Sequence, residues 1–168
     1  MKEITKMIRV VNLKEFTTVA KMENLDAVQD FISDELEASD CTITLQTQIS
    51  LIVEEVFVNI ANYAYSQDSR STNSLREQYS AEVGYVTIRI AVGDEVFIEF
   101  EDNGKPFNPL EIDDPDITLD LNKRKLGGLG IYLVKNMTDA IKYKYKDNKN
   151  ILSIKKKRHN YQGNLNSG

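Results

Sequence analysis

One stretch constrains the fold more than any other: Leu51–Tyr65, LIVEEVFVNIANYAY. It reads as the second half of a long amphipathic helix that starts near Thr42, with Asp40 or Thr42 as its cap. At ~100° per residue, Ile49, Ile52, Val53, Val56, Ile60, Tyr63 and Ala64 fall on one broad apolar face. A helix with such a face has to be covered by a second layer. Glu55, Asn59 and Asn62 follow at i, i+4 and i+7, a narrow polar stripe along the border of that face. Glu54 points about 100° away from Glu55, towards Val58 and Ala61. A carboxylate and an amide aligned beside a core face form either a solvated border or one wall of a site.

The second layer is legible downstream. Val83–Val92 and Val96–Glu101 alternate apolar and polar residues and are joined by Gly93-Asp94, which reads as a hairpin with one face on a core. Ala140–Tyr145 and Ile151–Lys156 form a second hairpin across Asp147–Asn150. Lys6–Leu13 has the β-branched character of an edge strand. Asn24–Glu37 carries Leu25, Val28, Phe31, Ile32 and Leu36 at helical spacing with Asn24 as N-cap, and Ile131, Val134 and Met137 mark a short third helix. Helices beside antiparallel hairpins give an α+β fold, a two-layer sandwich whose mixed, mostly antiparallel sheet is covered on one face by helices.

With 168 residues the chain suffices for one domain, expected over 1–158 with a disordered polar tail at 159–168. A net charge of -5 speaks against a general nucleic-acid binder. The lone Cys41 allows no internal disulfide, and no Cys/His cluster is spaced for zinc. Neither a signal peptide nor an 18-residue apolar run occurs, so a cytoplasmic protein without membrane attachment is expected.

Two segments break the regular pattern. Ser66–Ser80 is polar and aperiodic, longer than a compact domain needs for a connection. Asp102–Lys125, with Pro106, Pro109, Pro115 and Gly104, reads as a structured lid (residues 103–127) that ends at Gly127-Gly128-Leu129-Gly130. Glycines ahead of a helix let backbone N–H groups approach an anion, although such a cluster alone serves equally as a cap or tight turn. No GxxxxGK[ST] is present, and no strand-then-GxGxxG. Asp102-Asn103-Gly104 suits a turn; its functional reading is a buried carboxylate at a strand end that accepts a hydrogen bond from an exocyclic amine. Lys155–Arg158 reads as the basic end of an edge strand, Tyr143 and Tyr145 as one face of a hairpin and not a stacking platform, and His159 lies in the tail.

Taken together and in this order, Glu55-x-x-x-Asn59, Asp102-x-Gly104 and Gly127-Gly128-Leu129-Gly130 resemble the ATP-binding boxes of the GHKL ATPase superfamily, which includes histidine kinases, type II topoisomerases and mismatch-repair ATPases. Asn59-x-x-x-Tyr63-Ala64-Tyr65, the run from Asp102 to Pro109 (DNGKPFNP) and the run from Gly127 to Val134 (GGLGIYLV) narrow the likeness to anti-sigma factor serine kinases, over about Leu13 to Lys156. The resemblance implies the Bergerat ATP-binding fold, with ATP and Mg²⁺ as cofactors. It implies Asn59 as the Mg²⁺ ligand, Glu55 as general base, Asp102 as the adenine-reading carboxylate and Gly104 as the glycine beneath the ring. Gly128 and Gly130 match the turn that meets the phosphates, Arg124 a lid arginine sensing the terminal phosphate, and Ser153 a hydroxyl supporting adenine through water. Tyr63 stands where many relatives have histidine, Ser66–Ser80 is longer than expected, and Lys105-Pro106 replaces a second glycine, as is common in the serine-kinase branch.

The implied activity is phosphorylation of a serine on an anti-anti-sigma (STAS-type) partner, with a sigma factor as second partner and a homodimer as the assembly. The alternative is a non-catalytic, nucleotide-gated module that sequesters a regulatory partner. A histidine-kinase catalytic domain fits less well, because the only histidine is His159 and no helical hairpin precedes the domain.

Overall fold

The computed structural model describes residues 12–64, 84–114 and 129–158. Three helices lie on one face of a five-stranded sheet of order β1-β2-β3-β5-β4. The strands are β1 (Lys14–Val19), β2 (Tyr85–Val92), β3 (Glu95–Asp102), β4 (Ala140–Lys146) and β5 (Lys149–Lys157). The helices are α1 (Leu25–Ala38), α2 (Ile43–Asn59) and α3 (Leu129–Met137). The expected two-layer α+β sandwich is present; its four described strand pairings are all antiparallel, so the sheet is not mixed over these residues.

Alternation along the strands explains the layering. Val86, Ile88 and Ile90 of β2, Val96, Ile98 and Phe100 of β3, and Leu152 and Ile154 of β5 are buried towards the helices. Val28, Ile32 and Leu36 recur every four residues on α1, while Leu45, Ile49, Ile52, Val53, Val56 and Phe57 form the buried side of α2. Phe16 of β1 stacks on Phe31 of α1 with ring centroids 5.4 Å apart, closing the β1 end of this core. Complete burial of each such aliphatic or aromatic side chain stabilises by about 1.5–3 kcal/mol, which makes this face the main source of the fold's stability.

Helix ends follow local chemistry. Thr42 caps α2, its Oγ accepting from Leu45 N at 3.3 Å. Asn24 holds the cap position of α1 but donates its amide to the Val19 carbonyl at 2.9 Å, so it ties the helix start to β1 instead of capping it. Asp40 ends α1 at φ 53°, with Cys41 N donating to Leu36 O and Asp40 N to Glu37 O, a Schellman arrangement. Among the described residues no helix is long and apolar enough to cross a membrane.

Two expectations shift. The first strand lies at Lys14–Val19, after Asn12 and Leu13; residues 6–11 fall outside the described residues, as do the 66–80 segment and the tail from 159. β5 is an interior strand, between β3 and β4, so Lys155–Arg158 does not end an edge. Instead the buried Lys156 donates to the Met137 carbonyl at 2.6 Å, satisfying the C-terminus of α3. Arg158 donates to Ser39 O at 2.8 Å, which fastens the end of β5 to the end of α1.

Candidate functional site

A cleft with about 440 Å³ of open space, the solvent at its mouth included, lies between the C-terminal half of α2, the start of α3 and the ends of β3, β4 and β5. Its walls are mostly apolar, with Val56, Ile60, Phe100, Ile131 and Leu152 on the core side and Phe107 and Pro109 on the other. Four polar side chains also line it: Asn59, Asp102, Tyr143 and Asn150. An apolar slot with a few convergent polar groups is the usual form of a small-ligand site.

Asp102 sits at the end of β3, 6 % exposed. Its Oδ1 accepts from Gly104 N at 2.8 Å and from Asn150 Nδ2 at 3.0 Å. Among the described residues no donor reaches Oδ2, and no side-chain oxygen or nitrogen is sealed away without a partner, so Oδ2 opens on the cleft. Burial pushes this carboxyl above its ordinary value, and the two hydrogen bonds to Oδ1 oppose that rise. A buried carboxylate with one oxygen fixed and the other free is an acceptor waiting for a ligand's donor. Gly104 therefore contributes by its backbone N–H, in an Asx-type turn that also fixes where the chain leaves β3.

Asn150 is the residue sequence reasoning missed. It was placed inside the hairpin turn, but that turn consists only of Asp147 and Asn148, at φ 53° and 59°, the two-residue geometry that Asp and Asn tolerate. Asn150 therefore already belongs to β5, directly opposite Asp102. Its Oδ1 accepts from Tyr143 Oη at 2.7 Å and Phe107 N at 3.1 Å, and its Nδ2 also donates to Lys105 O at 3.0 Å. Tyr143 thus lines the cleft and is not merely a hairpin-face residue. The available signal was an amide immediately before the apolar pair that opens the run of β5, across from a strand-end aspartate.

On α2, Asn59 lines the cleft one turn beyond Glu55. Glu55 is partly buried and does not line the cleft itself; its carboxylate lies against the backbone of α3. A Cβ built on Gly130 would stand 2.0 Å from Glu55 Oε2, so only glycine lets the α3 start and this carboxylate pack so closely. Desolvation, and secondarily the neighbouring Glu54, raise the Glu55 pKa. Glu54 is exposed, as the helical phasing requires. Asn62 departs from the stripe: after Asn59 the backbone widens into a π-helical turn, Ile60–Ala64, and Asn62 is exposed.

Ser153 is not brought to this site. Strand alternation turns Asn150, Leu152 and Ile154 towards the helices and Ser153 to the opposite face, where its hydroxyl donates to Glu99 Oε2 at 3.0 Å. There it joins a network in which Arg89 binds Glu15, Glu99 and Glu101. Arg124, Gly127 and Gly128 lie outside the described residues. Among those described, no group of three or more acidic, His or Cys side chains is arranged to hold a metal. On α2, Asn59 offers a neutral oxygen at the cleft wall, a donor that fits Mg²⁺ only if most of its ligands come from phosphate and water.

Comparison with known proteins gives the arrangement a family. No curated protein matches the sequence significantly. Among solved structures, the chain is similar to the crystal structure of the RsbU and RsbW domains of Rv1364c from Mycobacterium tuberculosis, with a TM-score of 0.57 at 10% identity. That similarity covers 86% of this chain and 32% of the other, so this chain spans about a third of that protein and shares its fold. The model for the histidine kinase-like ATPase domain matches residues 18–156, from the end of β1 to the end of β5, and so takes in α2, the lid and the whole cleft. With Asp102 and Asn59 lining one cleft inside that match, the chain belongs to the histidine kinase-like ATPase domain family, the GHKL ATPases.

Proposed function

We propose that this protein is an Mg-ATP-dependent serine kinase of the anti-sigma factor type, acting on an anti-anti-sigma (STAS-type) partner and regulating transcription by partner switching. The observation that carries the nucleotide assignment is the half-satisfied Asp102 carboxylate at the closed end of an apolar cleft. Oδ2 accepts from the adenine amine, while Val56, Ile60, Phe100 and Leu152 cover the ring. Asn59 faces the phosphate side and would hold Mg²⁺, which neutralises phosphate charge when bound. Gly128 and Gly130 admit the phosphates to the start of α3, and Arg124 meets the terminal one.

Glu55 is the general base of this reading. Its carboxylate takes the proton of the incoming serine hydroxyl; the serine oxygen bonds to the γ-phosphorus as the bond to the β-phosphate oxygen breaks, leaving phosphoserine and ADP. Desolvation, and secondarily Glu54, raise its pKa, which makes it a stronger proton acceptor than an exposed glutamate. Support for the kinase class comes from the family membership and from the fold shared with a protein that contains an RsbW domain.

The test is transfer of label from γ-labelled ATP to a purified STAS-type partner encoded near this protein's gene. Label is expected on one partner serine, and only with Mg²⁺ present. Tight ATP binding with no labelled partner would replace the kinase with a nucleotide-gated binding module.

A further inference from the structure

Asn150 makes more described hydrogen bonds around the cleft than any residue the sequence pattern singled out. Its Nδ2 donates to Asp102 Oδ1 (3.0 Å), to Lys105 O (3.0 Å) and, at 3.4 Å, to Gly104 O. Its Oδ1 accepts from Phe107 N (3.1 Å) and Tyr143 Oη (2.7 Å). One buried amide, 6 % exposed, therefore holds the base-facing carboxylate and three points of the following segment, Gly104, Lys105 and Phe107, at once. The orientation of the amide follows from this network: Tyr143 and Phe107 supply donors on one side, and the two carbonyls supply acceptors on the other.

We propose that Asn150 is a positioning residue for base specificity: it pins Asp102 Oδ1 so that only Oδ2 meets the ligand, and it locks Lys105–Phe107 as the cleft's outer wall to that same carboxylate. This rests on the adenine-binding reading of the cleft. The consequence is coupling. A carboxylate held by a donor on Oδ1 cannot rotate to accommodate a base with a different edge, so the site rejects a 6-oxo purine by leaving Oδ2 facing another acceptor. The wall carrying Phe107 and Pro109 keeps its position only while the same amide is in place.

The experiment measures ATP and ITP affinities by calorimetry for wild type, Asn150→Ala, Asn150→Asp and Tyr143→Phe. Asn150→Ala is expected to weaken ATP roughly tenfold, to shrink the ATP-over-ITP ratio by a similar factor, and to speed amide exchange at Phe107. Tyr143→Phe, which keeps the packing and removes one donor, moves the ratio in the same direction by about two- to threefold and serves if the alanine variant does not fold. Asn150→Asp sets a second carboxyl against Oδ1, where the two share a proton; lowering the pH from 8 to 6 supplies that proton and restores ATP affinity in this variant, but does not raise it in wild type. A purely structural role for Asn150 would not give that pH rescue. Wild type that prefers ATP, with an unchanged ratio in all three variants, overturns this proposal alone. Wild type that does not distinguish ATP from ITP overturns the adenine reading and this proposal with it.

Discussion

Replacing Asp102 by asparagine should cost ATP binding about 1.5–3 kcal/mol, roughly ten- to a hundred-fold in Kd, and should turn the site's preference towards ITP. The reason lies in what already surrounds Oδ1. Gly104 N and Asn150 Nδ2 are both donors, so the new side chain must place its amide oxygen there. Its NH₂ is then forced into the position of Oδ2 and faces the adenine amine, donor against donor. The same NH₂ is a partner for the 6-oxo group of ITP. The substitution is isosteric and removes a desolvated charge, so the fold should be retained, with no loss in Tm. Calorimetric titration with both nucleotides checks this; an unaltered ATP-to-ITP ratio would show that Oδ2 does not read the base.

The second large effect belongs to the two adjacent glutamates. Glu55→Ala should lower the rate of label transfer by about 10²–10⁴-fold while leaving ATP affinity nearly unchanged, because a general base contributes to the transition state and not to ground-state binding. Glu54→Ala should leave the rate within about twofold, since Glu54 is exposed and points away from the cleft. The pH profile carries the same distinction. Because Glu55 has a raised pKa and acts only when ionised, transfer by wild type falls as pH drops through that raised value, before an ordinary carboxylate would protonate. In Glu55→Ala the residual rate lacks that limb. Equal losses in the two variants would contradict the helical phasing on which the assignment depends.

Much of this was legible in the chain because period and parity leave few choices. The apolar stripe of α2 put Glu55 and Asn59 on one border, and the structure keeps Asn59 at the cleft and Glu55 within contact of Gly130. The strand β3 was bounded to within a residue at each end by its alternation and by Gly93-Asp94. What failed did so where a period changes or cannot be read. Asn62 leaves the stripe because the helix widens to a π turn at Ile60, a change of pitch with no signal in residue type. The resemblance implied an adenine-supporting hydroxyl at Ser153, while Ile151 and Leu152, both apolar, leave the parity of β5 unread in the sequence; in the structure Ser153 faces away from the helices and bonds Glu99.

Asn150 was hidden by turn chemistry. In Lys146-Asp147-Asn148-Lys149-Asn150 every residue is compatible with a loop, and only the positive φ angles of Asp147 and Asn148 show that two residues make the turn. Pairing order was hidden as well. Nothing local shows that β5 is inserted between β3 and β4, yet that insertion is what brings Asn150 opposite Asp102. The cleft is built on a contact between residues 48 positions apart, and pattern within each segment does not encode it.

ATP is expected to bind in the cleft that Asp102 lines. The most direct test is a titration of isotopically labelled protein with Mg-ATP, followed by amide chemical shifts. Saturable changes are expected at Gly104 and Phe107 and in the side-chain NH₂ signals of Asn59 and Asn150, with little change on the outer sheet face around Ser153. Saturable binding whose shifts avoid those four residues, or the absence of any saturable shift, would contradict the account.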